Sequence, residues 1–582
     1  MHADRYRMPA LLIALLLGAG ALTAQPAGAQ GQHAPPAGGP AVSVPLSDTA
    51  RVRRWREDLS FITQRVRRLH PRPFGRTTEA EFDSAASSIE RRIATTDDSR
   101  LATECMRLVA LIHDGHTMVV GTFPPLGFTS VLPVFLRPFE NGLYVTGASA
   151  EYADVVGAKV TRVGDVTADE ALARVGSATS GDNRYTLLDR APLFLMMPAL
   201  LHALGISTER DAVTLEIQRE EGKPVRLNIA GGAPLDGFPG AFMATEPSFP
   251  ADWKSARQVG PGGPPRCDRL PEDAWWFEYL PSSRTLYLRM RRVDPLMGQQ
   301  QNPENYLKFY QRFFARADSL KPAALVIDLR HNHGGNNTIL DPLIRGIIER
   351  PWLNREGGLF ALIDRGTFSA AMNAAVFLGD QTRATFVGEP TGGGLNHYGD
   401  ATEATTPNFG MMIQVSTIPW LSRVPQDPRP WIAPDIAVPS SFGNWREGRD
   451  AELEEALDAV RHGTREQQML AAARKRGTDA AVAAFHEWNR VHPTLWGSGT
   501  VRELSGSVSA CMDRGAWSDA ALLGDALVRL EPESALAFRV AGEAHMNAGN
   551  RARAVEYLRK VIQLNPRAVV ARNLLRQMGE TP

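Results

Sequence analysis

Residues 324–371 decide the fold: Ala324-Leu325-Val326-Ile327-Asp328-Leu329-Arg330-His331-Asn332-His333-Gly334-Gly335-Asn336-Asn337 at one end and Gly366-Thr367-Phe368-Ser369-Ala370-Ala371 at the other. Ala324–Ile327 is a continuous apolar run, as expected of a strand buried on both faces. A loop, Arg330–Asn337, a helix over Thr338–Ile348 and a second strand over Leu359–Ile363 follow. The short stretch Asp364–Phe368 then delivers Ser369 to the first turn of a helix, Ala370–Leu378, which Gly379 should stop. A third strand is expected at Ala384–Val387. Repeated strand–helix–strand units imply a mainly parallel sheet with right-handed crossovers.

Upstream, Trp55, Leu59, Ile62, Val66 and Leu69 form one helical stripe that stops at Pro71. Phe82, Ala86, Ile89 and Ile93 form a second, and Leu101, Cys105, Leu108 and Ile112 a third. The third runs into Asp114-Gly115-His116-Thr117, where Gly115 suits a left-handed residue beyond a helix end. Between 130 and 230 short β-type runs (Leu143–Val145, Lys159–Thr161, Val213–Ile217) surround a helical stretch, Ala168–Val175. Gly157–Asp165 (GAKVTRVGD) looks like the strand-and-turn core of a PDZ-like module. Residues 231–272, rich in Gly, Pro and Asp, read as linker.

The C-terminal end repeats itself. Gly515 and Gly549, Ala520 and Ala554, Leu530 and Leu564, and Pro532 and Pro566 all stand 34 residues apart. That period resembles tetratricopeptide helix pairs, with a looser copy over Gly477–Pro493.

The N terminus reads as an address. Arg5 and Arg7 precede an uncharged run, Ala10–Leu22, and small-residue sites follow at Leu22-Thr23-Ala24 and Ala27-Gly28-Ala29. This is a secretory signal pattern, too short for a bilayer span of about twenty residues. The expectation is a periplasmic or secreted protein without a stable membrane anchor.

The 582 residues therefore divide into a signal peptide (1–29), a linker (30–48), a helical region (49–125), the PDZ-like module (130–230), a linker (231–272), a catalytic α/β domain (273–460) and helical repeats (465–582). Hydrophobic residues at 43% are enough for real cores. Lys+Arg and Asp+Glu number 64 each, so nothing in the charge points to nucleic acid. Three distant cysteines exclude a disulfide framework and a cysteine zinc site, while leaving room for one bridge. The pairs His113/His116 and His331/His333 have metal-compatible spacing, but no third ligand accompanies either, and no metal or other cofactor is expected.

Ser369 stands out by its placement. A hydroxyl at a helix N terminus after a buried strand meets free backbone N–H groups and the positive end of the helix dipole. Those amides can hold an oxyanion, and a glycine turn after the neighbouring strand supplies more. An ordinary N-cap serine has the same placement.

Leu325–Asn337 (LVIDLRHNHGGNN), Gly366–Ala371 (GTFSAA) and Val387–Gly393 (VGEPTGG) together resemble the sequential motifs of the tail-specific proteases, which include C-terminal processing peptidases and the tricorn-type core. Pro434–Val438 and Leu108–Thr117 (LVALIHDGHT) extend the likeness over roughly residues 50–460. The resemblance implies a crotonase-like catalytic domain, Ser369 as nucleophile, and oxyanion donors from the backbone of Gly334, Gly335 and Ala370. It implies a polypeptide substrate, cut near its C terminus, with the repeats available to a protein partner. One departure stands out: C-terminal processing peptidases carry a lysine base where this chain has Gly394, and no lysine lies between Lys321 and Lys475. The tricorn-like branch uses histidine, which places the base at His116, a residue type suited to proton exchange near neutrality. The orienting acid is left among Asp427, Glu389 and Asp400, with Asp114 expected to cap its own turn. The missing lysine also keeps a second reading open, a silent ligand- or peptide-binding protein on the same fold.

Overall fold

The computed structural model describes residues 47–581, except 121–129, 220–222, 235–248, 250–251, 259–263, 271–272, 298–303, 423–428, 492–499 and 514. The segment read as a signal peptide lies outside the described residues, as does nearly all of the linker that follows it. No helix among the described residues is long and apolar enough to cross a membrane.

The central sheet has six strands, in the order Trp275–Leu280, Thr285–Met290, Ala324–Asp328, Leu359–Ile363, Thr385–Gly388 and Ile436–Ala437. The first pair is antiparallel and every later pair is parallel. Both faces are covered, which explains the unbroken apolar runs. Leu325, Ile327, Leu359, Ala361 and Ile363 pack under helices Tyr306–Leu320, Asp341–Ile348 and Ala370–Gln381, through Phe309, Phe313, Leu343, Ile347 and Leu378. Val326, Phe360, Leu362 and Val387 face the other way, onto Leu453, Ala456 and Trp488. Trp488 belongs to helix Thr478–Val491, inside the stretch read as repeats, so that stretch shares a core with the catalytic sheet.

The helix after Leu359–Ile363 runs to Gln381, past Gly379. A single glycine costs a helix only about 1 kcal/mol, and Leu378 is fully buried one residue earlier.

Helices Thr49–Leu69, Glu79–Arg92 and Asp98–Ala110 form the N-terminal region. Their core takes in Met411, Ile413 and Val415 from the far end of the chain. Strand Met118–Val120 pairs antiparallel with Met412–Val415, which holds the turn before it against the catalytic domain. The left-handed residue of that turn is His113 (φ 54°), not Gly115. Gly115 is required for space: a Cβ there would come within 2.6 Å of the Phe368 ring.

The β-rich insertion builds a sheet on Gly142–Ala148, Lys159–Val163, Ala212–Gln218 and Val225–Ala230. Lys254–Ser255 joins its edge and Cys267 is buried, so the described parts of 231–272 pack as structure instead of hanging as linker. Cys105, Cys267 and Cys511 are all buried, and no disulfide joins them. At the C-terminal end, helices starting at Trp517 and Arg551, and at Ala535 and Val569, keep the 34-residue interval.

Candidate active site

Parallel strands Ala324–Asp328 and Leu359–Ile363 are neighbours, so the loops leaving their C-terminal ends lie side by side. Asn332, fully buried, binds them together. Its carbonyl accepts the Phe368 amide at 3.0 Å and its side-chain amide donates to Met290 O at 2.8 Å. Its Oδ1 accepts the Gly334 amide at 2.9 Å.

Ser369 sits at the tip of the second loop with φ 53° and ψ −126°. A positive φ is rare for a residue with a Cβ and is kept only where the surroundings enforce it. Its side chain makes no helix cap, which removes the ordinary N-cap explanation. The hydroxyl instead meets His116 Nε2, with Oγ and Nε2 3.0 Å apart across 253 residues of sequence.

His116 is fixed from several sides. Its ring lies against Phe368, with centroids 4.5 Å apart and planes 24° apart. Its backbone amide donates to Asp114 Oδ1 at 3.0 Å. The preceding Gly115 amide donates to Asp182 Oδ1 at 2.7 Å, and the other oxygen of Asp182 accepts the Gly394 amide at 3.1 Å. Gly394, where the family resemblance leads to an expected lysine, thus serves here as a backbone anchor for the histidine turn. Burial pushes the His116 pKa below its ordinary value, with His397 and Arg190 acting the same way against Asp114 and Asp182. A lowered pKa leaves the ring neutral, able to accept a proton, through the neutral range. About 19% of its side chain remains exposed, so the pair is desolvated yet open to a reactant.

The expected oxyanion donors separate. The Gly334 amide is already committed to Asn332, so Gly334 is no donor here. Gly334 is needed for closeness: at φ 104°, a Cβ would fall 2.5 Å from Ser369 Cβ and 2.7 Å from the Ala370 nitrogen. No bond among the described residues engages the Gly335 or Ala370 amides, and Ala370 opens the helix behind Ser369.

Of the expected acids, Asp427 lies outside the described residues. Glu389 is no partner of His116; both its oxygens are taken by Arg365, at 2.8 and 3.0 Å. Asp400 accepts from Trp420 Nε1 in a turn. The carboxylate beside the His116 ring is Asp114, whose Oδ1 lies 4.0 Å from Nδ1. Asp114 does serve its own turn, but it also gathers His70 Nε2 at 3.2 Å, Thr117 Oγ1 at 2.5 Å and Ser416 Oγ at 2.6 Å on Oδ2. Burial alone would raise its pKa; His70, His116, Ser416 and Thr117 outweigh that and hold it well below the usual carboxylate range.

His331 and His333 face different acids, Asp364 at 2.6 Å and Asp189 at 2.9 Å, and so do not converge on one point. Sequence reasoning missed His70, Asp182 and Asn332. His70 ends the first apolar stripe just before Pro71, and Asn332 lies inside the Leu325–Asn337 stretch; Asp182 had no signal.

Residues 349–438 match Peptidase family S41. Over that segment the chain is similar to a serine peptidase. The matched segment contains Ser369 but not His116. No curated relative matches the chain. Among solved structures, it is similar to mature CPAF complexed with lactacystin, at 14% identity and a TM-score of 0.48, covering 71% of this chain and 98% of that one. It is also similar to the photosystem II D1 C-terminal processing protease, at 13% identity and 0.32, covering 72% and 98%. A putative peptidase from Parabacteroides merdae is similar at 12% identity and 0.36, covering 70% and 96%.

Followed by NMR, the His116 ring should titrate with a midpoint below about 6.5, the ordinary histidine value. A midpoint above that value would contradict the desolvated setting. The signal is assigned by its loss in His116→Gln.

Proposed function

We propose that the chain is an exported serine endopeptidase that cuts polypeptides near their C termini through an acyl-enzyme on Ser369, with His116 as general base. The observation that carries this reading is the 3.0 Å contact between Ser369 Oγ and His116 Nε2. An ordinary serine hydroxyl is a weak nucleophile, and a neutral imidazole on its oxygen is what activates it. As Oγ attacks the peptide carbonyl carbon, its proton passes to Nε2. The carbonyl oxygen gains the negative charge at the Gly335 and Ala370 amides, where the helix dipole favours it. The imidazolium then returns the proton to the departing amine, the C–N bond breaks, and the acyl group stays on Oγ. Water, deprotonated by the same ring, releases the acid. No step calls for a cofactor.

Preference for C-terminal segments rests on the resemblance to the tail-specific proteases, and export rests on the N-terminal pattern. Ser369→Ala should abolish both fluorophosphonate labelling and peptide cleavage while leaving thermal unfolding nearly unchanged. His116→Ala should be about as severe, because members of one catalytic unit are not additive. Labelling that survives in Ser369→Ala, or a His116→Ala chain with most of its turnover, would overturn the assignment. The protein for this assay comes from the extracytoplasmic fraction, and its N terminus should start at Gln25 or Gln30.

The C-terminal helix pairs serve to dock a partner or a large substrate, since stacked pairs leave an extended concave surface. A deletion from about residue 500 keeps Trp488 on the catalytic core while uncovering Ala481 and Phe485, which pack with Leu504 and Val508. Such a chain should turn over a short peptide at the full-length rate, with a raised KM for a protein substrate. Equal loss of both activities with a lowered Tm would make the repeats a structural cap.

A further inference from the structure

We infer that Asp114, held in place by His70, orients the His116 ring, so that His70 and Asp114 are positioning residues for the reaction at Ser369. The inference rests on the Ser369–His116 reading and extends it to the part of the site drawn from the N-terminal helices.

The need for such a group is visible in the ring itself. With Nε2 turned to Ser369 Oγ as acceptor, the ring proton of neutral His116 must sit on Nδ1. Nδ1 is buried and meets no hydrogen-bond partner among the described residues. Asp114 Oδ1 lies 4.0 Å away, and its one hydrogen bond among the described residues is from the amide of His116 itself. Oδ1 carries one donor where Oδ2 carries three, so Oδ1 has room for the ring. The gap exceeds a hydrogen bond. Phe368 lies nearly flat on the imidazole, so the ring can turn in its own plane without losing that contact. Catalytic hydrogen bonds commonly tighten only when substrate is bound.

Asp114 is built to stay charged and still. The Arg72 amide donates to His70 Nδ1 at 3.1 Å, so the proton of neutral His70 is on Nε2 and is given to Asp114 Oδ2 at 3.2 Å. Thr117 and Ser416 complete that oxygen. These donors come from the end of the first helix, from the histidine turn and from the catalytic domain. A turn cap needs no such convergence, and a carboxylate with no exposed surface is costly to bury unless its charge is used. The charged and titratable groups facing His116 are Asp114, Asp182, His397 and Arg190. The charged and titratable groups acting on Asp114 are His70, His116, Arg190 and Tyr398.

The test is the rate of fluorophosphonate labelling of the full chain as a function of pH. Asp114→Asn should lower the limiting rate by ~100-fold or more, since an amide neither selects the Nδ1–H tautomer nor stabilises imidazolium. Its acid-side inflection should also move to lower pH, because a negative charge beside the ring has gone. His70→Leu, which removes the donor, should slow labelling at least tenfold, and His70→Gln, which restores one, should recover most of that loss. Labelling of Asp114→Asn within threefold of the wild-type rate, or slowed with the inflection unmoved, would overturn the inference and leave the Ser369–His116 reading intact. If Asp114→Asn does not fold, equal rates for His70→Leu and His70→Gln would overturn it. A wild-type chain unlabelled at Ser369 would remove the underlying reading, and this inference with it.

Discussion

The contact between His116 Nε2 and Ser369 Oγ is the constraint on which the rest of the structure depends. Its two atoms come from regions that fold on different principles. Ser369 is delivered by a parallel sheet buried on both faces, and His116 by a turn after a helix whose core includes Met411, Ile413 and Val415. Nothing local keeps them together. The pairing of Met118–Val120 with Met412–Val415 sets the distance. The Asp182 carboxylate, accepting amides of Gly115 and Gly394, fixes the orientation. The family match at 349–438 takes in Ser369 and Met411–Val415 but not His116.

Strain and close approach are concentrated where the chemistry is. Ser369 is held at positive φ by neighbours that cannot move: the Phe368 amide is tied to Asn332, and Gly334 leaves no room for a methyl group. Such backbone conformations cost on the order of 1–3 kcal/mol each. Here that cost turns the hydroxyl away from capping its own helix and toward the histidine. The Ala370 amide, which opens the helix beside it, meets no partner among the described residues.

Much of this was legible in the sequence because it is local. Strand Leu359–Ile363 matches its apolar run, and Ser369 was placed by counting from it. What was not legible depends on long-range geometry. Gly334 and Ala370 read as equivalent donors, yet Asn332, two residues before Gly334, takes up the Gly334 amide through its side chain. Gly115 read as a left-handed residue, but the glycine answers to a phenylalanine 253 residues away and His113 carries the positive φ. Glu389 looked like an acid in want of a histidine, and Arg365 claims it. His70 and Asp182 carry no motif, because their value lies in what the fold brings to them.

The most direct test of the account is the structure of the protein after reaction with a fluorophosphonate. The account predicts a phosphonyl group on Ser369 Oγ, one of its oxygens within hydrogen-bond reach of the Gly335 and Ala370 amides, and His116 Nε2 still beside Oγ. An adduct on another residue, or one whose oxygen turns away from those amides toward solvent, would contradict it.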